Sequence, residues 1–90
     1  MTKLEEKLIE LGYKYKEVIY YKYFYSNDNF LIAFIMIIVN EYKVCDYKTV
    51  VAPPYAFVKN EHIKTLEKAF NEMKKDLEVL KEYEQNKTLY

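Results

Sequence analysis

Ninety residues make a single domain, 1–90, near the small end of what folds alone. Fourteen lysines balance fourteen acidic residues with no arginine, and residues 1–58 and 59–90 each hold seven of either sign, so bulk charge points to no polyanionic partner. One cysteine excludes an intramolecular disulfide, and no apolar run opens the chain as a signal peptide would, so a cytoplasmic setting is expected. Eleven tyrosines must supply core area that aliphatic residues do not, although the joint excess of Lys, Tyr, Ile, Asn and Phe also follows from AT-rich codons.

Thr2-Lys3-Leu4-Glu5 fits a capping box, and Leu4, Leu8 and Leu11 form one stripe of a short helix. Gly12 stands where a left-handed residue would close it. Tyr13 to Tyr25 then reads as one strand, with mostly bulky residues at odd positions and Lys mixed with apolar residues at even ones. Ser26-Asn27-Asp28-Asn29 turns the chain into Phe30–Val39, ten apolar residues without a charge or a breaker. That run is half the ~20 residues a membrane helix needs, so no membrane association is expected. Apolar at both odd and even positions, it reads as a central strand that requires cover on both faces.

A two- or four-residue hairpin loop pairs Tyr25 with Phe30, Tyr23 with Ile32, Tyr21 with Phe34 and Ile19 with Met36 on a first, aromatic face. The second face then carries Val18, Tyr20, Lys22, Phe24, Leu31, Ala33, Ile35, Ile37 and Val39. Asn40-Glu41 returns the chain through Tyr42–Val51. This places Cys45, Tyr47 and Val51 on the first face and Val44, Asp46, Lys48 and Val50 on the second; a three-residue loop would exchange them. Pro53-Pro54 ends the strand, because neither residue can donate to a ladder. Asn60 is placed to cap a long last helix whose seam is Ile63, Leu66, Phe70, Met73, Leu77 and Leu80, with Lys68–Glu72 and Lys74–Glu78 able to pair on its solvent side. Residues 85–90 read as a frayed tail. The expected fold is α+β: a short helix, a three-stranded antiparallel meander, and a long C-terminal helix laid on the aromatic face.

Little catalytic chemistry is legible. With one His (His62), one Cys (Cys45) and one Ser (Ser26), a nucleophile and base would have to meet by chance, and no metal-ligand spacing occurs. The only glycine cannot build a phosphate-binding loop. Neither enzymatic activity nor a cofactor or metal is therefore expected, and Glu5-Glu6 and Glu82/Glu84 read as solvated helix faces. The sharpest local feature is the alternation of Lys14, Lys16, Tyr20, Lys22 and Phe24, which on one sheet surface would suit unstacked bases and phosphates. Neutral net charge and the lack of arginine weigh against that use.

Leu11-Gly12-Tyr13 after the first helix, with Ala69-Phe70-Asn71 and Lys75-Asp76-Leu77-Glu78 on the last, resembles small uncharacterised proteins encoded by phages and prophages of low-G+C Gram-positive bacteria. The likeness covers both ends of the chain and not its middle. It implies a setting in the host cytoplasm, where accessory phage proteins of this size bind and inhibit a host protein, defence enzymes included; it carries over no functional residue.

Together these features describe a non-enzymatic protein-interaction module. Its expected interface is the second face, at Val18, Tyr20, Lys22, Phe24, Leu31, Ile35, Ile37 and Val44, used first for a homodimer and then for a protein partner. The alternative is a single-stranded nucleic-acid binder using the Lys and aromatic strand.

Overall fold

The capping box at the start of the chain forms as the residues require. In the computed structural model, which describes residues 1–52 and 59–84, Thr2 Oγ1 accepts from the Glu5 amide and Glu5 Oε1 accepts from the Thr2 amide, at 3.2 and 2.8 Å. Helix α1 (Lys3–Glu10) follows and buries Leu4 and Leu8. It closes at Gly12, whose φ of 100° lets the Gly12 and Tyr13 amides return to the carbonyls of Ile9 and Leu8, the paired bonds of a Schellman motif.

The sheet has four strands where the sequence suggests three: β1 (Lys14–Lys16), β2 (Ile19–Tyr25), β3 (Leu31–Val39) and β4 (Val44–Val51), antiparallel in the order β1-β2-β3-β4. The expected strand 13–25 breaks at Glu17-Val18. Both residues take positive φ, 51° and 63°, and make a two-residue hairpin turn between Lys16 and Ile19. Neither residue is a Gly, Asn or Asp, so the turn leaves no mark in composition. β3 lies at the centre of the sheet, as its apolar pattern requires.

The β2–β3 register differs from expectation by two residues: Tyr23 pairs with Phe34 and Tyr21 with Met36. The cause is a three-residue loop. The Ser26 amide bonds the Phe30 carbonyl at 2.9 Å, and Asn29 supplies the left-handed residue at φ 66°. Such a loop alone would exchange the two faces. A bulge between Tyr25 and Phe24, opposite Ile32, restores the parity beyond it, so the face assignments of β2 and of β3 from Ala33 onward survive, whereas Leu31, expected on the second face, pairs with Tyr25 of the first. On β4 they do not. Thr49 pairs with Ile35 and Tyr47 with Ile37, which moves Tyr47 and Val51 to the second face and Asp46, Lys48 and Val50 to the first; an irregularity at Ile38/Val39 leaves Val44 opposite Val39.

Helix α2 (Asn60–Lys81) starts one residue earlier than expected, with Lys59 at the cap and no capping side chain. It lies on the second face, not on the aromatic one. The core joins Tyr20, Phe24, Ala33, Ile35 and Ile37 of that face to Leu4 and Leu8 of α1, Ala69 and Leu80 of α2, and Tyr13 between them. The buried seam of α2 is accordingly His62, Ala69, Asp76 and Leu80 with Leu66, Met73 and Leu77 beside it; Ile63 and Phe70, expected inside, are 45% and 39% exposed. A buried polar contact explains the rotation. Asp76 Oδ2 accepts from Lys22 Nζ at 2.7 Å and from Tyr13 Oη at 2.9 Å, and Lys22 belongs to the second face. Only with Asp76 turned inward are all three groups satisfied, and Ala69 adds no bulk at the contact. The expected Lys68–Glu72 and Lys74–Glu78 ion pairs are not formed among the described residues; the exposed pairs there are Lys7–Glu10 on α1 and Lys59–Asp28 at the start of α2. The expected ends at Pro53-Pro54 and at 85–90 fall outside the described residues. No helix of the described residues is long and apolar enough to cross a membrane.

Candidate interaction surface

The residues expected to form an interface are for the most part spent on the core. Tyr20, Phe24, Ile35 and Ile37 are buried beneath the two helices, Lys22 is held by Asp76, and Leu31 and Val44 are half-buried. Val18 is exposed but stands in the β1–β2 turn. The open surface is the opposite one. The uncovered face is therefore not the one the sequence indicates, because the helices follow Asp76 to its partners.

This outer face is built in rows. Directly paired residues point the same way, so Lys14, Tyr21, Met36 and Lys48 form one row across all four strands, and Tyr23, Phe34 and Val50 form the next. Lys16 with Ile19, and Ile38 with Asp46, complete it at one end. Three rings make its centre: Tyr21 and Tyr23 lie nearly parallel with centroids 5.8 Å apart, and Phe34 tilts against both at 5.9 and 5.6 Å. Phe34, Met36, Ile38, Ile19 and Val50 remain half-buried and Tyr23 is 38% exposed, so this side of the sheet is only partly covered, Ile32 near the β2–β3 bulge being its fully buried residue. Lys14, Lys16, Lys48 and Asp46 frame the apolar patch with both signs of charge.

Two polar clusters lie away from this face. In the first, Lys22 Nζ also stands 4.7 Å from the centre of the Tyr13 ring. Burial, reinforced by the Asp76 carboxylate, pushes the Tyr13 phenol far above its ordinary value, so it remains a hydrogen-bond donor at any physiological pH. Burial likewise raises Tyr20, with Glu5 nearby. Every member of the triad is engaged within it, and it ties α2 to the sheet.

The second cluster gathers the chain's only Ser and only His on one carboxylate. Ser26 Oγ donates to Asp28 Oδ1, His62 Nε2 lies 3.2 Å from the same oxygen, and Lys59 Nζ holds Oδ2 at 2.7 Å. The Lys59 ammonium, then the Ser26 hydroxyl and His62, hold the Asp28 carboxyl well below the usual carboxylate range. The imidazole reaches the carboxylate and not the hydroxyl, so the arrangement is not that of a nucleophile with its base. Glu61 brings a third potential metal ligand within 4.8 Å, yet Lys59 already supplies the positive charge that a cation would bring to Asp28. The cluster pins the start of α2 to the β2–β3 hairpin, with Phe30 edge-on to the imidazole at 6.0 Å. No local pattern in the chain marks it, since Asp28 and His62 are 34 residues apart.

Comparison with protein-family models, with curated proteins and with solved structures returned no match.

Proposed function

We propose that this chain is a non-enzymatic protein-interaction module whose outer sheet face seats another protein surface, in the first instance a second copy of itself. The observation that supports this reading is the half-exposed apolar face of a central strand, Phe34, Met36 and Ile38, continued by Ile19, Tyr21 and Tyr23 on β2 and by Val50 on β4. A patch across three strands is on the order of the several hundred Å² at which monomers begin to find partners. Zero net charge leaves no long-range repulsion between copies, and a two-fold partner presenting the same surface is the commonest way for a small chain to cover it. In the phage setting that the end segments suggest, the same face would serve a host protein.

A second reading uses the same face. Lys14, Lys16 and Lys48 stand beside Tyr21, Tyr23 and Phe34, a combination that single-stranded nucleic acid can use. The platform first suggested by the sequence is unavailable to bases, because Tyr20 and Phe24 are buried.

Sedimentation across ~1–100 μM, a range suited to an interface of ordinary strength, tests the main reading. Wild type is expected to dimerise and Phe34→Lys to remain a folded monomer. A wild type that stays monomeric throughout rejects self-association. Oligonucleotide binding that falls steeply with salt would favour the second reading instead.

A further inference from the structure

We propose that the open edge of β2 at Tyr23 and Tyr25 accepts an extended, acidic peptide segment as an added strand. The bonding groups are those of the backbone edge and not of the outer face, although Lys14, Tyr21 and Tyr23 border both.

β1 covers β2 only from Ile19 to Tyr21, because Gly12 at φ 100° and the Tyr13 amide, bonded to Leu8, turn the chain away into α1. From Lys22 to Tyr25 nothing among the described residues pairs on that side. The ladder fixes which groups face the gap. Lys16 and Ile19 flank a two-residue turn, so hydrogen-bonding positions toward β1 alternate as Ile19, Tyr21, Tyr23 and Tyr25. The Ser26 amide bonded to Phe30 places the even positions toward β3, in agreement. The amide and carbonyl of Tyr23 and of Tyr25 therefore point out of the sheet edge.

The other edge of the sheet is treated differently. On β4 the Val44 amide donates to Glu84 Oε2 at 2.7 Å and the Tyr47 amide to Asp46 Oδ1 at 2.8 Å, so side chains already occupy two of its donors. Among the described residues no side chain does this at Tyr23 or Tyr25.

Concave surface lies on both sides of the open edge. On the helix side a groove of about 670 Å³ runs between β2 and α2, with Lys64, Thr65, Lys68 and Glu72 along one wall and Asn27 at its end. On the outer side a smaller one of about 180 Å³ is lined by Lys14, Tyr21, Tyr23 and Tyr25. An added strand sends alternate side chains to opposite faces, one set into each groove, which is how strand addition obtains specificity. The Lys22 charge is answered by Asp76, whereas Lys14, Lys64 and Lys68 have no ion pair among the described residues. Glu72 is the one acid lining the two grooves, with Glu67 beside Lys64 and Lys68 further round the helix, and the excess of lysine along the edge selects a segment carrying carboxylates.

The probe is an acetylated and amidated Val-Glu-Val-Glu-Val-Glu hexapeptide, titrated into isotope-labelled full-length protein and followed by amide NMR. Saturable shifts are expected at residues 22–25, with slowed exchange of the Tyr23 and Tyr25 amides. Replacing Glu by Lys in the peptide should abolish binding, and the exposed pair Lys64→Glu, Lys68→Glu should weaken it by about tenfold or more. Of two peptides N-methylated on one or the other alternate set of residues, one should lose binding and the other keep it. The proposal is overturned by an absence of shifts at millimolar peptide, by equal binding of both methylated peptides, or by shifts that map to β4 or to Phe34 and Met36.

Discussion

The two faces of the sheet look alike in sequence and behave differently in the structure. On the inner face Tyr20, Phe24, Ala33, Ile35 and Ile37 are sealed beneath the helices, whereas on the outer face Tyr21, Tyr23, Phe34, Met36 and Ile38 stay half-open. Apolar content does not separate them. What separates them is one lysine: Lys22 projects inward and is met there by Asp76 and Tyr13, at side-chain exposures of 13% for the lysine and 5% for the aspartate. In a small protein, a buried charge pair can thus decide which of two equally apolar surfaces is used inside and which is left for a partner.

The strongest way to break that comparison is to remove its arbiter. Asp76→Ala leaves Lys22 charged and buried and Tyr13 without its acceptor, and should cost ~3–5 kcal/mol in chemical denaturation. The triple change Lys22→Met, Tyr13→Phe, Asp76→Leu should recover most of the loss, since an apolar replacement has no charge to desolvate. If the triple variant is as stable as wild type yet packs α2 on the other face, the pair specifies orientation rather than stability.

A smaller effect is expected at the turn that creates β1. Val18 at φ 63° is a β-branched residue in left-handed backbone, and Glu17 at φ 51° adds to the strain. Glu17→Asn with Val18→Gly should raise stability by about 1 kcal/mol without moving the register, measured by thermal unfolding. A loss of stability would mean that 13–25 prefers the continuous strand its sequence suggests.

The smallest effect concerns pH. Asp28 is held below its ordinary value by Lys59, Ser26 and His62, so folding gains from its ionised form. That gain is complete above the unfolded value of about 4 and is lost as pH falls through the depressed native one. Wild type should therefore exceed Asp28→Asn in stability at neutral pH, with the gap closing only in acid. A gap independent of pH would assign the role to geometry alone.

These cases show what was legible in the sequence. The capping box at Thr2 and Glu5, the closing Gly12, the central strand and the long last helix follow from local chemistry and periodicity, and each forms. The Glu17-Val18 turn could not be read, because it forms against the strain of two positive φ angles and without the residues that favour such a turn. The face beneath α2 could not be read either, because Lys22 and Asp76 lie 54 residues apart and a buried lysine is written like a solvated one. His62 and Asp76 do not read as core residues for the same reason, and their inward turn displaces the seam from Ile63 and Phe70. The irregularity at Ile38/Val39 then decoupled Val44 from the rest of β4.

The central claim, that the helices cover the second face and leave the aromatic face open, is tested most directly by thermal unfolding of two variants at adjacent positions of β3. Ile35 is fully buried beneath the helices and Phe34 is half-exposed on the other side. A lysine at Ile35 must bury an unpaired charge, so Ile35→Lys should fail to fold or melt far below wild type. Phe34→Lys should remain folded with a melting temperature close to that of wild-type monomer. A folded, stable Ile35→Lys beside an unfolded Phe34→Lys would contradict the account and put the helices on the aromatic face.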